Sequence, residues 1–181
     1  MKKNVTNLSG NLMKILSLTI MLAFIAPLMT NAQSGKANFA GNWTFNAEKS
    51  TQPPAGGGGQ GGGGGRGGFG GGNFVATQEA NLLTVTRTRT GQDGTPTTTV
   101  SKYTLDGKES VNTTPRGESK SVATWSADGK SLTIATTASF NGNEMKSSQV
   151  WTLSAPKTLS ITTTRNGQNG EMKTTQVYEI K

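Results

Sequence analysis

The sequence contains no cysteine and no histidine in 181 residues. The absence of cysteine excludes disulfide bonds, so stability must come from packing and from closure of the sheet. The absence of histidine removes the commonest general base, the commonest zinc ligand and the usual partner of a nucleophilic serine. We therefore expect no metal site and no cofactor.

Acidic residues are also scarce. The ten Asp and Glu residues fall mostly at predicted turns or strand ends, and no two of them are placed as an acid–base pair. Serine and lysine are too common for the sequence to single out one catalytic Ser–Lys pair. The sequence therefore predicts a protein that is not an enzyme and has no catalytic residue.

A long hydrophobic run is present only near the start. Lys14 precedes an apolar segment from Ile15 to Leu28, and Thr30-Asn31-Ala32 follows with small residues, which is typical of a secretory signal peptide. The segment is shorter than the ~20 residues of a membrane span. An uncleaved membrane anchor is the alternative, and Met13 is an alternative start.

These features predict a signal peptide over residues 1–32 and a periplasmic or secreted domain over residues 33–181. The whole chain carries a formal net charge of +8. Removal of the signal takes away three lysines and leaves 15 basic residues against 10 acidic ones, about +5. The basic residues are spread along the chain, so we expect no nucleic-acid partner and no stable membrane insertion after signal cleavage.

Glycine is concentrated in one segment. Between Ala55 and Gly72, 14 of 18 residues are glycine, so the segment has few side chains to bury and much backbone entropy to lose. We predict a disordered loop over residues 55–72. The single Arg66-Gly67-Gly68-Phe69 sequence within it is a weak match to RNA-binding tails.

The chain from residue 38 onward, apart from that loop, alternates apolar and polar residues at every second position, which is the β-strand period. Pairs of Asn or Asp followed by Gly, such as Asp93-Gly94 and Asp128-Gly129, separate the alternating segments and favour hairpin turns. No segment after the signal shows a helical period. Ten strands are predicted, at residues 38–46, 73–79, 82–90, 96–105, 109–114, 118–126, 131–140, 144–153, 158–166 and 172–180.

Aromatic residues recur at equivalent positions of these strands. Trp125 and Trp151 each precede a turn and a strand that begins Leu-x-Ile, and Tyr178-Glu179-Ile180, near the end of the last predicted strand, begins a third copy of the pattern. This repeat predicts serial antiparallel hairpins with their aromatic residues on one face. We therefore expect an interior belt near one end of the sheet, formed by Tyr103, Trp125, Trp151 and Tyr178, which serves the core and can also contact a ligand.

An open sheet of this size would leave two long edges, and closure into a barrel removes both. The predicted fold class is all-β, an antiparallel up-and-down meander of eight to ten strands that closes into a barrel. A two-sheet sandwich is the alternative. Threonine, serine and lysine on the second face of the strands argue against an outer-membrane barrel.

The first strand carries the motif Phe39-Ala40-Gly41-Asn42-Trp43. Gly-x-Trp on the first strand, followed by an antiparallel meander in a short exported chain, resembles the lipocalin-like (calycin-type) barrels of exported bacterial proteins. The resemblance implies that Gly41 permits a close chain crossing and that Trp43 plugs the closed end of the barrel. It also implies an interior that holds a small ligand.

Arginine stands where the apolar alternation fades. Arg87 and Arg89 follow the inward-facing apolar residues of one strand at two-residue spacing, and Arg165 follows those of another. If the alternation continues, their guanidinium groups point inward at a wetter end of the barrel. Arginine there can pair with a carboxylate or phosphate; the alternative is that the strand ends twist outward into solvent. The predicted ligand-binding residues are Trp43, Arg87, Arg89, Tyr103, Trp125, Trp151, Arg165 and Tyr178.

The favoured functional prediction is an exported barrel that binds a small apolar or amphipathic molecule in its interior. The alternative is a non-catalytic structural or interaction module whose barrel is filled by side chains. The sequence identifies neither the ligand nor the oligomeric state.

Overall fold

The protein is described by a computed structural model. The signal peptide predicted over residues 1–32 lies outside the residues it describes, as does the loop predicted over residues 55–72 except for its last two glycines. No helix in the described part of the chain is long and apolar enough to span a membrane. The described residues are 35–51, 71–91, 93–114, 117–140, 142–167 and 170–181.

In the described part of the chain, ten antiparallel strands form one sheet, which confirms the predicted all-β meander and selects ten strands over eight. The strands are β1 (Gly41–Asn46), β2 (Phe74–Glu79), β3 (Leu82–Thr90), β4 (Pro96–Thr104), β5 (Glu109–Thr114), β6 (Gly117–Trp125), β7 (Ser131–Phe140), β8 (Asn143–Ala155), β9 (Thr158–Gly167) and β10 (Gly170–Glu179).

The order of the strands across the sheet is β4-β3-β2-β1-β10-β9-β8-β7-β6-β5. The first strand therefore lies between the second and the last, and the sheet curves into a nearly closed barrel. Pairing of Phe45 with Tyr178 and of Trp43 with Phe74 fixes β1 between its two partners. The ladder ends at β4 and β5, which lie side by side.

Side chains close the seam between β4 and β5. The Asn112 side chain accepts a hydrogen bond from the backbone N–H of Lys102 (2.7 Å) and donates one to its carbonyl oxygen (3.0 Å). The Ser110 hydroxyl accepts a further bond from the backbone N–H of Thr104 (2.8 Å). Asn112 thus occupies the place of a partner peptide group on the neighbouring strand.

The turns between strands divide the barrel into two ends. The β2–β3, β4–β5, β6–β7 and β8–β9 turns lie at one end, which we call the closed end, and the other hairpin turns lie at the opposite end, which we call the mouth. Five of the six predicted Asn/Asp–Gly turns contain a glycine with positive φ, and the glycine of the sixth, Gly167, continues β9. The five are Gly94, Gly107, Gly129, Gly142 and Gly170.

The chain before β1 covers the closed end. The backbone N–H of Ala37 donates to the carbonyl oxygen of Gly129 (2.8 Å), and the Gln78 side chain bonds both Ala37 and Phe39. These contacts replace a strand ladder, which is why β1 begins at Gly41 and not at residue 38 as predicted. The side chain of Phe39, which belongs to this segment, points into the barrel and is fully buried.

The register sets which residues face the interior. Leu83 lies opposite Tyr103, and Trp151 lies opposite Ile161, so the predicted apolar faces point inward together. The apolar core fills the closed half of the barrel. It consists of Phe39, Trp43, Phe74, Ala76, Leu83, Val85, Leu105, Ala123, Leu132, Ile134, Trp151, Leu159, Ile161 and Tyr178.

Candidate functional site

A continuous chain of aromatic rings forms the floor of the barrel. Phe39 stacks on Trp125 and meets Trp151 edge-on, with both pairs of ring centroids 5.8 Å apart. Phe74 in turn contacts Trp151 and Tyr178 at 5.6 and 4.9 Å. Three residues of the predicted belt, Trp125, Trp151 and Tyr178, are therefore joined through two phenylalanines, and the fourth, Tyr103, packs against the same core. The strand repeat did not indicate the role of the phenylalanines because they lie outside it.

Trp43 is buried beside these rings. Its indole N–H donates to the carbonyl oxygen of Phe39 (2.9 Å), so the polar edge of the ring is satisfied within the core. A Cβ atom at Gly41 would lie 2.7 Å from Ile180 Cδ1, next to the last strand. Both residues thus occupy the closed-end positions that the lipocalin resemblance implied.

A layer of buried polar side chains lies above the aromatic floor. Gln149 accepts a hydrogen bond from the Trp151 indole (3.1 Å), and the hydroxyls of Ser121 and Thr136 are 2.9 Å apart. Thr163 is only 2% exposed, yet its hydroxyl has no hydrogen-bond partner among the described residues. An unpaired buried hydroxyl is costly, so this atom is poised to accept or donate a hydrogen bond.

The predicted arginines lie between this layer and solvent. The guanidinium carbon of Arg87 sits 4.5 Å from the centroid of the Phe74 ring, which is an inward, cation–π position. Arg165 is half-buried, and burial lowers the pKa of its guanidinium from the usual value. Arg89 is exposed nearer the β3–β4 turn. Inward parity therefore holds along β3 and β9, with exposure increasing toward the mouth.

The two tyrosines of the chain face these arginines. Burial raises the pKa of Tyr178, and the charge of Arg87, a hydrogen bond from Arg87 and then the charge of Arg89 oppose that rise. Burial also raises the pKa of Tyr103, against a hydrogen bond from Ser101 and the charge of Arg87. The Tyr178 hydroxyl donates to Gln176 (3.0 Å). The cationic group of Arg87 thus lies within electrostatic reach of both phenols.

The interior charge has one sign. At every described strand position that the register places on the inner face, a charged side chain is an arginine: Arg87, Arg89 or Arg165. The ion pairs among the described residues that join Lys to Asp or Glu lie at the surface. In the sheet order, β3 and β9 are four strands apart, so their arginines face each other across the barrel.

The structure divides the eight predicted site residues into two groups. Trp43, Trp151 and Tyr178 are buried, and Tyr103 and Trp125 are partly buried against the core, so these five belong to the floor. Arg87, Arg89 and Arg165 line the region above it. The sequence predicted a wetter end of the barrel but named no buried hydroxyl or amide there as a site residue. The signals were threonines on inward faces, Thr136 after Ile134 and Thr163 after Ile161.

Another concave region lies outside the barrel. Its volume is about 430 Å³, and most of its lining belongs to the outer face of β5 to β8, including Val122 and two ion pairs of opposite charges. These pairs leave the region without a dominant charge. Among the described residues, no cluster of three or more Asp, Glu, His or Cys side chains could hold a metal ion.

No family model matches the chain, and no curated protein matches it. Among solved structures, zebrafish ileal bile acid-binding protein, crystallised with cholic acid, is 22% identical with a TM-score of 0.44. The match covers 60% of this chain and 72% of that chain. A likeness at this level says nothing about what the present chain binds.

Proposed function

We propose that this chain is a non-catalytic, exported binding protein that holds a small, negatively charged molecule in the mouth half of its barrel. The observation that carries the proposal is the single sign of the interior charge: the charged residues on the described inner face are all arginine. Guanidinium groups bind carboxylates and phosphates through paired hydrogen bonds.

The depth of the arginines strengthens this proposal. Arg87 and Arg165 are half-buried, where water screens an ion pair less than it does at the surface. An anion that enters between β3 and β9 would meet positive charge from two sides. The lysines of the described ion pairs are on the outside and do not compete for that anion.

The interior also offers limited apolar contact. Met145 and Met172 occupy inward register positions at the mouth and are 57% and 41% exposed. Met172 lies opposite Arg165 on the neighbouring strand. A partly apolar anion would therefore find its charge partner and a flexible apolar surface side by side.

Binding is tested by isothermal titration calorimetry with four soluble probes: octanoate, octan-1-ol, D-glucuronate and D-glucose. The proposal expects at least one anion to bind more tightly than its neutral counterpart. Arg165→Gln should weaken that binding at least ~10-fold, as expected for the loss of a charge-assisted hydrogen bond. Lys173→Gln, which removes one charge from the outer face of β10, is the matched control and should leave binding unchanged.

The proposal is overturned if neither anion binds, or if the control variant weakens binding as much as Arg165→Gln. Export is tested separately by fractionating cells that express the full chain. Mass spectrometry of the periplasmic or secreted protein should show a mature start at Gln33. Retention of the full-length chain in the membrane fraction would instead support the uncleaved anchor.

A structural or interaction module is the second candidate. The observation in its favour is the closed half of the barrel, where side chains such as Trp43 and Leu83 fill the interior. This candidate predicts that an affinity-tagged chain co-purifies with one stoichiometric protein partner. It also predicts that Arg87→Gln and Arg165→Gln leave that association intact, because both residues face inward.

A further inference from the structure

We infer, resting on the proposed function, that the body of the bound anion is a hydroxylated ring of the sugar-acid type and not an alkyl chain. The part of the interior that is open to solvent is lined mainly by hydroxyl, amide and guanidinium groups. The sequence alone had favoured a partly apolar ligand on the strength of the aromatic residues. The structure uses most of those aromatic residues to fill the floor.

The inner face changes character at one level of the barrel. Along β9, Leu159 and Ile161 are buried and apolar, and the next inward residues are Thr163 and Arg165. The same change occurs on β3 after Val85. The inward hydroxyl and amide residues at or above this level are Thr97, Thr99, Ser101, Ser119, Ser121, Thr136, Ser147, Gln149, Thr163, Thr174 and Gln176.

An alkyl chain has no suitable place below this level. The centroid of the Trp151 ring lies 5.8 Å from that of Phe39 and 5.6 Å from that of Phe74, and all three side chains are buried. Above this level Met145 and Met172 offer limited apolar contact, so most of the chain would have to lie among polar groups. It would then displace their water without replacing the hydrogen bonds, which is unfavourable.

Thr163 provides a specific hydrogen-bonding position within the polar layer. It is 2% exposed, its hydroxyl is unpartnered among the described residues, and the register places it on the inner face between Gln149 and Thr174. The indole of Trp151 donates to Gln149 and so fixes the orientation of the adjacent amide. A ligand hydroxyl that reaches this depth would satisfy the threonine.

Thr163 and Arg165 together define the size of the ligand. They are successive inward residues of β9, so their backbones are about 6.7 Å apart along the strand. That separation matches one monosaccharide ring with its carboxylate. The ring hydroxyls would bond Thr163 and its neighbours, and the carboxylate would pair with Arg165.

The four calorimetric probes separate this inference from the proposed function. D-glucuronate should bind at least ~10-fold more tightly than octanoate, a difference of about 1.4 kcal/mol. If octanoate binds more tightly, the inference fails while the proposed function stands. If neither anion binds, both fail. If D-glucose binds as tightly as D-glucuronate and octanoate does not bind, the proposal that the ligand is an anion fails.

Thr163→Val tests the assigned position directly, because valine keeps the shape and removes the hydroxyl. We expect about 10-fold weaker binding of D-glucuronate, unchanged binding of any octanoate, and a thermal midpoint equal to or above that of the wild type. The control is Thr162→Val on the outer face, which breaks a hydroxyl pair with Thr175 (3.0 Å) and should leave D-glucuronate binding unchanged. Unchanged D-glucuronate binding in Thr163→Val, or a fall in both affinity and stability, would overturn the assignment.

Discussion

Gly129 shows how one residue without a side chain fixes the path of a distant segment. Its φ is +69°, and a Cβ atom there would lie 2.6 Å from the carbonyl oxygen of Gly35 and 3.2 Å from Lys36 Cα. The atoms it would strike are backbone, which cannot move aside as a flexible side chain can. The lipocalin resemblance assigned a close chain crossing to Gly41, and the structure places a closer one at Gly129.

Gly129→Ala should therefore destabilise the barrel more than an alanine at another left-handed glycine. Gly107 is the matched control, because its φ is +80° and a Cβ atom added there would meet no described atom within 4 Å. We expect Gly107→Ala to cost about 1 kcal/mol from backbone strain, and Gly129→Ala to cost a further ~1–3 kcal/mol from steric overlap. Urea unfolding followed by tryptophan fluorescence measures both; equal losses would contradict the crossing.

At the scale of the elements, the β4–β5 seam differs from every other strand junction described. A peptide-like side chain, Asn112, bonds both the N–H and the carbonyl of Lys102 in place of a strand ladder. The two hydrogen bonds of one side chain are easier to break than the continuous series of backbone hydrogen bonds that joins two paired strands. The seam is therefore the junction at which we expect the barrel to open first.

Asn112→Ala should lower the free energy of local opening at the Lys102 amide by about 1–2 kcal/mol, since a part-buried backbone donor and acceptor lose their partners. Native-state hydrogen exchange measured by NMR reports this amide directly. Val111→Ala serves as the control, because Val111 is on the same strand but 54% exposed. If the Lys102 amide exchanges equally in both variants, Asn112 does not hold the seam.

The elements themselves were predictable from sequence because their signals are local. Two-residue alternation and Asn/Asp–Gly pairs located all ten strands. The same alternation put Arg87 on an inward face, but it gave no indication that the guanidinium group lies over the Phe74 ring. The hydrogen bonds of Asn112 across the seam were not predictable, because nothing in the sequence of β5 indicates that β4 lies beside it. The unpaired hydroxyl of Thr163 was hidden for the same reason: whether it has a partner depends on neighbours from two other strands.

Across the whole molecule, carboxylates at turns and at the chain end are held ionised by their contacts. The pKa values of Asp93, Asp106, Asp128 and Glu179 are lowered from their usual values. For Asp106 the pKa falls to about 2, chiefly through a hydrogen bond from the Lys108 side chain and then one from its backbone N–H. These groups bind fewer protons in the folded state than in the unfolded state at acid pH.

The stabilising effect of these carboxylates is present above about pH 4 and is lost as the pH falls toward 2. Lys108→Met should flatten the dependence of stability on pH in that window, because the ammonium partner of Asp106 is gone. Lys157→Met, at the β8–β9 turn, removes the same charge and should keep the wild-type slope. Thermal midpoints measured from about pH 2 to pH 5 compare the three proteins; parallel curves would contradict the role of Lys108.

The position of β1 between β2 and β10 has a consequence for biosynthesis. Phe45 pairs with Tyr178, so the first strand to be made finds one of its two partners only when the last strand has emerged. A growing chain can form the hairpins from β2 to β9 in order, but it cannot complete the barrel. Closure thus requires β10, and a chain truncated before it would leave β1 and β9 each without one strand partner.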